Sequence, residues 1–236
     1  MTIYALDLDG TLTDFEAAET TAITVALNEA LGYQPEKRLV ASFRHALHSL
    51  AIRSEGIPVD ANAEMFFWRQ SLASALGRDD VGLDRHSILR IGEAYRETAL
   101  REIRLYPEVE EALELLSAQP LLLLSNGPSQ LQRDKLRTLN IHDRFQSVFI
   151  SEEVGARKPN PAFFAAVEAA GFAPSEIVFF GNNPLADVHG GKLAGMSAVW
   201  VNRNALTYPE ALLLPDVEAP DLLAAVMQVF DADGPT

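Results

Sequence analysis

Ile3-Tyr4-Ala5-Leu6-Asp7-Leu8-Asp9-Gly10-Thr11 is the stretch from which the fold is read. Four apolar residues run directly into two acids and a glycine. An unbroken apolar run this short suits a strand buried on both faces, because the strands of a parallel sheet are covered by helices above and below. The Asp-Gly step that follows marks a turn. In open α/β sheets ligands bind beyond the carboxyl ends of the strands, which is where the two acids stand.

The partners of this strand lie far down the chain. From Phe15 to Glu102 apolar residues recur at helical spacing, over 17–31, 37–50, 63–76 and 86–100, with no convincing strand. Gly32 and Gly77 close two of these runs, where a helix C-cap takes a left-handed residue. Beyond Pro107 the pattern alternates: helix 108–118, strand 121–124, helix 129–139, strand 147–150, helix 161–170, strand 177–180, helix 185–194 and strand 198–201. A last helix is expected over 217–230, then a frayed tail. Strands alternating with helices give a parallel sheet. The expected fold is α/β, a doubly wound, Rossmann-like parallel sheet from residues 1–14 and 102–236, with an inserted helical cap domain over 15–101. The insertion leaves the chain directly after the two acids, so it is expected to act as a lid.

Of the 236 residues 48% are hydrophobic and 22% charged, which suits a soluble globular protein with one core and a smaller second unit. No apolar run approaches the ~20 residues of a membrane span, and Met1-Thr2-Ile3-Tyr4 lacks the features of a signal peptide. Cysteine is absent, which removes disulfides, thiolate nucleophiles and thiolate metal sites. These features fit a cytoplasmic enzyme. A formal net charge of −14 repels nucleic acid and anionic membranes, so neither is an expected partner. It also repels an anionic substrate, so a phosphate site must be built locally from a cation, backbone N–H groups and a few basic side chains.

Four clusters fall at expected strand ends. In extended backbone Asp7 and Asp9 point the same way, and like charges held close push their pKa values apart, separating a nucleophile from a proton donor. Gly10 permits the turn that brings amides near an anion. Ser125-Asn126-Gly127 puts a hydroxyl and an amide at a helix start, a neutral way to hold phosphate oxygens. Lys158, ahead of Pro159, can neutralise a phosphate or orient a carboxylate. Gly181-Asn182-Asn183-Pro184-Leu185-Ala186-Asp187 offers hard oxygen ligands suited to Mg²⁺. Each cluster alone also reads as an ordinary turn, cap or solvated charge. Their order along one sheet is what joins them.

In that order they resemble the haloacid dehalogenase-like hydrolase superfamily over nearly the whole chain. Its DxDGT motif is matched by Asp7-Leu8-Asp9-Gly10-Thr11, its Ser or Thr motif by Ser125, its Lys motif by Lys158, and its acidic motif in part by 181–187. The stretch from Ser151-Glu152-Glu153-Val154-Gly155 to Pro161 is most similar to the branch of capped phosphatases that holds house-cleaning nucleotidases and N-acylneuraminate phosphatases. The resemblance implies a Mg²⁺-dependent phosphohydrolase. Asp7 is then the nucleophile that forms an aspartyl-phosphate, and Asp9 the acid that protonates the leaving oxygen and later activates water. Ser125, Asn126 and Lys158 hold the phosphoryl group, with Gly10, Thr11 and Gly127 in the substrate-binding loops. Mg²⁺ is held by Asp7, the Asp9 carbonyl, Asn182 and Asp187. The implied substrate is a small phosphate ester, a nucleoside monophosphate or sugar phosphate.

One position departs from the family pattern, since the acidic motif usually opens Gly-Asp and this chain has Gly181-Asn182. A carboxylate 4 Å from a unit charge is worth roughly 4 kcal/mol at an effective dielectric of 20, before desolvation. Weaker metal binding is therefore expected. A dehalogenase needs no proton donor at Asp9, which argues against it. A catalytically silent binding protein has only Asn182 in its favour and is opposed by Asp7, Asp9, Ser125 and Lys158. From the helical segment, Arg44 and His45 are the expected contacts to a distal polar group of the substrate, while Phe67 and Trp68 are expected to pack.

Overall fold

The computed structural model describes residues 2–53, 61–79 and 81–233. The chain divides into two compact units, Met1–Asp14 with Arg104–Thr236, and Phe15–Ile103. The second unit is helical: α1 (Phe15–Leu31), α2 (Lys37–Arg53), α3 (Ala61–Leu76) and α4 (Arg85–Glu102). It runs two residues past 101, because α4 continues to Glu102 and stops at Ile103, whose backbone is extended and whose N–H still reaches Ala99 O. Asp84 caps the start of α4 by accepting from the Ser87 N–H at 2.7 Å. Gly32 and Gly77, with φ of 74° and 63°, end α1 and α3 in the left-handed region. The interior is aromatic and aliphatic: Trp68 lies between Phe43 and Tyr95, with ring centroids 6.4 and 5.2 Å away. Among these side chains sits one buried acid, Glu19 on α1, which accepts from Tyr95 Oη at 3.0 Å and meets His48 Nε2 at 2.9 Å. No helix among the described residues is long and apolar enough to cross a membrane.

The first unit is a Rossmann-like α/β structure. Six strands, β1 (Ile3–Leu6), β2 (Leu121–Ser125), β3 (Ser147–Ile150), β4 (Ile177–Gly181), β5 (Ser197–Val201) and β6 (Val217–Ala219), form one parallel sheet in the order β3-β2-β1-β4-β5-β6. Around it stand α5 (Val109–Leu116), α6 (Ser129–Thr138), a single turn α7 (Ser151–Val154), α8 (Pro161–Ala169), the short α9 (Gly190–Leu193) and α10 (Leu222–Asp233). The period of two along β1 sorts its side chains between the faces. Tyr4 and Leu6 pack in a core with Val109, Leu113, Leu222 and Val226 of α5 and α10. Ile3 and Ala5 pack on the other face with Phe163, Phe164 and Val167 of α8.

Two segments differ from expectation. The helix expected over 217–230 is a strand followed by a helix. Pro220 lacks an N–H and cannot sit inside a helix, so the chain first adds β6 to the sheet edge beside β5. Asp221 then starts α10, accepting from the Ala224 N–H at 2.8 Å. The helix expected over 185–194 opens as a π-helical turn, Pro184–His189, and tightens only into α9. Such widened turns concentrate at functional sites, and this one carries Asp187.

The register fixes what meets at the sheet's carboxyl edge. Leu6 pairs with Leu123 of β2 and with Phe180 of β4. Strand order reverses at β1, whose neighbours β2 and β4 lead to opposite edges, and there the connections diverge to leave a crevice. The chain therefore leaves three adjacent strands at Asp7, Ser125 and Gly181.

Candidate active site

Asp7 is the first residue beyond β1. Its N–H still donates to Phe180 O at 2.9 Å, which fixes the base of the side chain. The residue is 7% exposed, and its Oδ1 accepts from Lys158 Nζ at 2.8 Å. No hydrogen bond among the described residues takes up Oδ2. Lys158, on the loop before α8, is buried and also meets Asp187 Oδ1 at 2.7 Å and donates to Leu124 O at 2.5 Å. One ammonium thus spends its three donors on two carboxylates and a strand-end carbonyl. Asp187 Oδ2 in turn accepts from the Asn183 N–H at 2.9 Å.

This grouping sets the charge states. Burial pushes the Asp7 carboxyl up to about 7; Lys158 pulls against that, while Asp187 and Asp9 add like-charge repulsion. Burial alone lowers the Lys158 ammonium, but Asp187 and Asp7 together outweigh it and its pKa is raised. The arrangement is a buried nucleophile candidate held by a cation and short of positive charge.

Asp9 lies in separate surroundings. Its side chain is 27% exposed, and both oxygens accept from Lys135 Nζ on α6, at 3.0 and 2.8 Å. Gln132 Nε2 donates to Asp9 Oδ2 at 3.0 Å and to Ser125 Oγ at 2.7 Å. As an acceptor there, Ser125 keeps its own O–H for a ligand oxygen. Asn126 grips the backbone of Lys158, donating from Nδ2 to Lys158 O at 3.0 Å and accepting at Oδ1 from Lys158 N at 2.9 Å. The Gly127 N–H donates to Ser151 Oγ at 2.9 Å.

The loop after β1 is shaped against the 181–187 segment. Gly10 has φ of 87°, and a Cβ there would fall on the Asn182 side chain. Thr11 is fully buried, its Oγ1 donating to Asn182 Oδ1 at 3.4 Å, so it serves the site through the loop rather than by touching a ligand. A Cβ on Gly181 would fall on Asp187. Trp200 Nε1 donates to Asn182 O at 3.0 Å. Arg203 stacks on the Tyr106 ring at 3.6 Å and donates to Gly10 O, Thr11 O and Glu108 Oε1, at 3.3, 2.7 and 2.6 Å.

The oxygens at these strand ends suit a hard divalent cation such as Mg²⁺. They are Asp7 Oδ2, the Asp187 carboxylate, the Asn182 amide oxygen and the Asp9 carbonyl, which no hydrogen bond among the described residues takes up. Among those residues no three acidic, His or Cys side chains form a ligand cluster, since the Asp9 carboxylate is turned to Lys135. The donor set fits magnesium held by two carboxylates and neutral oxygens.

The model of one protein family, haloacid dehalogenase-like hydrolase, matches residues 1–195. The chain belongs to that family. This haloacid dehalogenase-like hydrolase is 43% identical over 133 residues to a phosphoserine phosphatase of Thermus thermophilus, a stretch covering 53% of each chain. It is 30% identical over 141 residues to the human N-acylneuraminate-9-phosphatase, covering 56% of this chain and 57% of that one. The matched stretch spans little more than half the length of either relative. A magnesium-bound crystal structure of the HAD-hydrolase YfnB from Bacillus subtilis shares the fold, with a TM-score of 0.76, 22% identity and 99% of both chains covered.

Within the hydrolase's core unit the structure brings together Asp7, Lys158 and Asp187, and beside them Asp9 and Ser125. Arg44 and His45 lie in the helical unit, along a groove of α1 and α2 that also carries Glu16, Lys37 and His48. Arg44 is paired there with Glu16 at 2.6 Å. Trp68 packs, as expected. Gln132, Lys135 and Arg203 were missed by sequence reasoning. For the first two a signal existed: they fall at the same helical spacing as Leu131 and Leu136, so polar residues occupy the apolar stripe of α6. Arg203 carried no such signal.

Proposed function

We propose that this chain is a magnesium-dependent phosphatase of small phosphorylated metabolites, acting through an aspartyl-phosphate on Asp7. The observation that carries the reading is a pair of carboxylates two residues apart at one strand end, each with its own buried lysine: Asp7 with Lys158 and Asp9 with Lys135. Two acids in separate surroundings suit two roles, attack and proton transfer.

Asp7 Oδ attacks phosphorus while Asp9 gives its proton to the leaving oxygen. Ser125 holds a phosphoryl oxygen through its own O–H. Lys158, whose donors are spent on Asp7, Asp187 and Leu124 O, supplies positive charge beside the nucleophile and is kept in place by Asn126. Asp9 then takes a proton from the water that attacks the aspartyl-phosphate, which releases phosphate and restores Asp7. Asp7, the Asp9 carbonyl, Asn182 and Asp187 would hold magnesium, which would supply positive charge where phosphate oxygens gather. The rest is positioning and charge neutralisation, which dominate phosphoryl transfer.

The helical unit is inserted in sequence just after the Asp7–Asp9 loop, and we assign it the choice of substrate, with Arg44 and His45 reading a polar or anionic group away from the phosphate. The phosphatase relatives, which act on phosphoserine and N-acylneuraminate 9-phosphate, support a small phosphate ester. The experiment is hydrolysis of 4-nitrophenyl phosphate with and without Mg²⁺, followed by a panel of nucleoside monophosphates and sugar phosphates. Magnesium-dependent phosphate release is expected. Release of halide from a 2-haloacid in its place, or no turnover of any ester, overturns the reading.

A further inference from the structure

The interior face of α6 holds two polar side chains that none of the four motifs includes. Gln132 and Lys135 are each 1% exposed, buried beside Leu131 and Leu136. Taking a lysine out of water is costly unless it is paired and hydrogen-bonded. Lys135 is paired with both oxygens of Asp9, at 3.0 and 2.8 Å. Gln132 bridges Asp9 Oδ2 and Ser125 Oγ with one amide nitrogen, and Thr13 Oγ1 adds a donor to Asp9 Oδ1 at 3.3 Å. The helix begins four residues after Ser125, so a single rigid element governs both the Ser125 hydroxyl and the Asp9 carboxylate.

We infer that Lys135 and Gln132 are positioning residues, which lock the proton-transferring carboxylate of Asp9 and the phosphate-holding hydroxyl of Ser125 into one hydrogen-bonded frame. The inference rests on the phosphatase reading. In the first step a bond forms from Asp7 Oδ to phosphorus as the ester P–O bond breaks. The bonding pair leaves on the ester oxygen, which takes a proton from Asp9. That proton comes from solvent as the phosphate binds, and one of the two Lys135 contacts gives way to it while the other holds the carboxyl in place. Without the frame the Asp9 carboxyl is free to rotate away from the leaving oxygen. The loss then depends on the leaving group. An alkoxide must be protonated as it departs, whereas a nitrophenolate departs without help. A merely structural role of the buried pair predicts equal losses on both kinds of ester.

The test compares kcat and KM of wild type, Lys135→Met and Gln132→Met on 4-nitrophenyl phosphate and glycerol phosphate, with folding followed by circular dichroism. Gln132→Met leaves every charge in place and serves should Lys135→Met fail to fold. The expected result for Lys135→Met is a loss of about 10²-fold in kcat on the alkyl ester and at most about 10-fold on the aryl ester, with KM little changed. Gln132→Met, which also releases Ser125, is expected to show the same excess loss on the alkyl ester with KM raised on both. In an Asp9→Asn background the same substitutions are expected to add nothing further on the alkyl ester. Equal losses on the two esters, or losses that multiply with Asp9→Asn, overturn the inference. Where glycerol phosphate is not turned over, the best alkyl ester of the nucleotide and sugar-phosphate panel takes its place. A wild type inert towards every ester overturns the phosphatase reading itself, and the inference with it.

Discussion

At Asp7 three influences compete on one carboxylate: burial, the Lys158 ammonium, and the neighbouring acids. Burial and like charge win in the protein alone, and the pKa rises from 3.8 to about 7. The linkage sign follows. The folded state keeps this proton from pH 3.8 up to about 7 while the unfolded chain loses it, so the contribution is fully present below 3.8 and is lost as pH rises through 7. Above pH 7, in metal-free buffer, Asp7→Asn is expected to melt higher than wild type, and added Mg²⁺ to narrow the gap by stabilising only the wild type. Thermal scans with EDTA and with Mg²⁺ check this; a lower Tm for Asp7→Asn in EDTA contradicts the charge balance. The same variant should lose at least about 10³-fold in kcat, because an amide is a poor nucleophile. At Asn182 the expectation concerns the metal. Asn182→Asp adds a charge among the proposed magnesium donors, so half-saturating Mg²⁺ should fall by about tenfold or more. Turnover need not rise, since the added charge also faces the phosphate. A Mg²⁺ titration at fixed ionic strength measures it, and an unchanged midpoint shows that Asn182 does not sense the ion.

At the scale of elements, two features carry measurable energy. In the helical unit Glu19 ties α1 to α2 through His48 and to α4 through Tyr95. Tyr95→Phe keeps the ring contacts with Trp68 but leaves a buried carboxylate oxygen one donor short, which should cost about 1–3 kcal/mol in chemical denaturation. A loss near zero means that water replaces the hydroxyl. In the core unit, Asp221 marks the start of α10 after the Pro220 break. Asp221→Ala should cost about 1 kcal/mol by removing the cap, again read from denaturant midpoints. The cap also explains why 217–230 reads as one helix from its apolar residues alone. Apolar residues recur from Val217 to Phe230, but Pro220 and Asp221 divide them between a strand that extends the sheet and a helix that covers it.

For the molecule as a whole, the charge of −14 opposes the approach of any phosphate dianion while Lys158 and Lys135 attract it only at short range. Added salt screens the long-range term first. From low ionic strength to 0.15 M, kcat/KM for a phosphomonoester should therefore rise by about two- to threefold. A fall shows that the local cations dominate the encounter. Much of this protein was legible in the sequence. The buried strand before Asp7, the alternation after Pro107 and the helical segment between them follow from local periodicity, which depends only on neighbouring residues. Asp7 and Asp9 read as pointing alike because i and i+2 do so in extended chain. In the structure β1 ends at Leu6 and the chain bends at Leu8, so Asp7 faces Lys158 and Asp9 faces Lys135. What only the tertiary structure decided is which distant side chains meet. Lys158 reaches Asp7 across 151 residues and Lys135 reaches Asp9 across 126. The helical spacing marks Lys135 as lying on the apolar stripe of α6, and nothing marks Lys158. In neither case does the sequence name the partner, which is set by strand register and by how a helix docks on the sheet. Those are properties of the packed core, and no spacing along the chain encodes them.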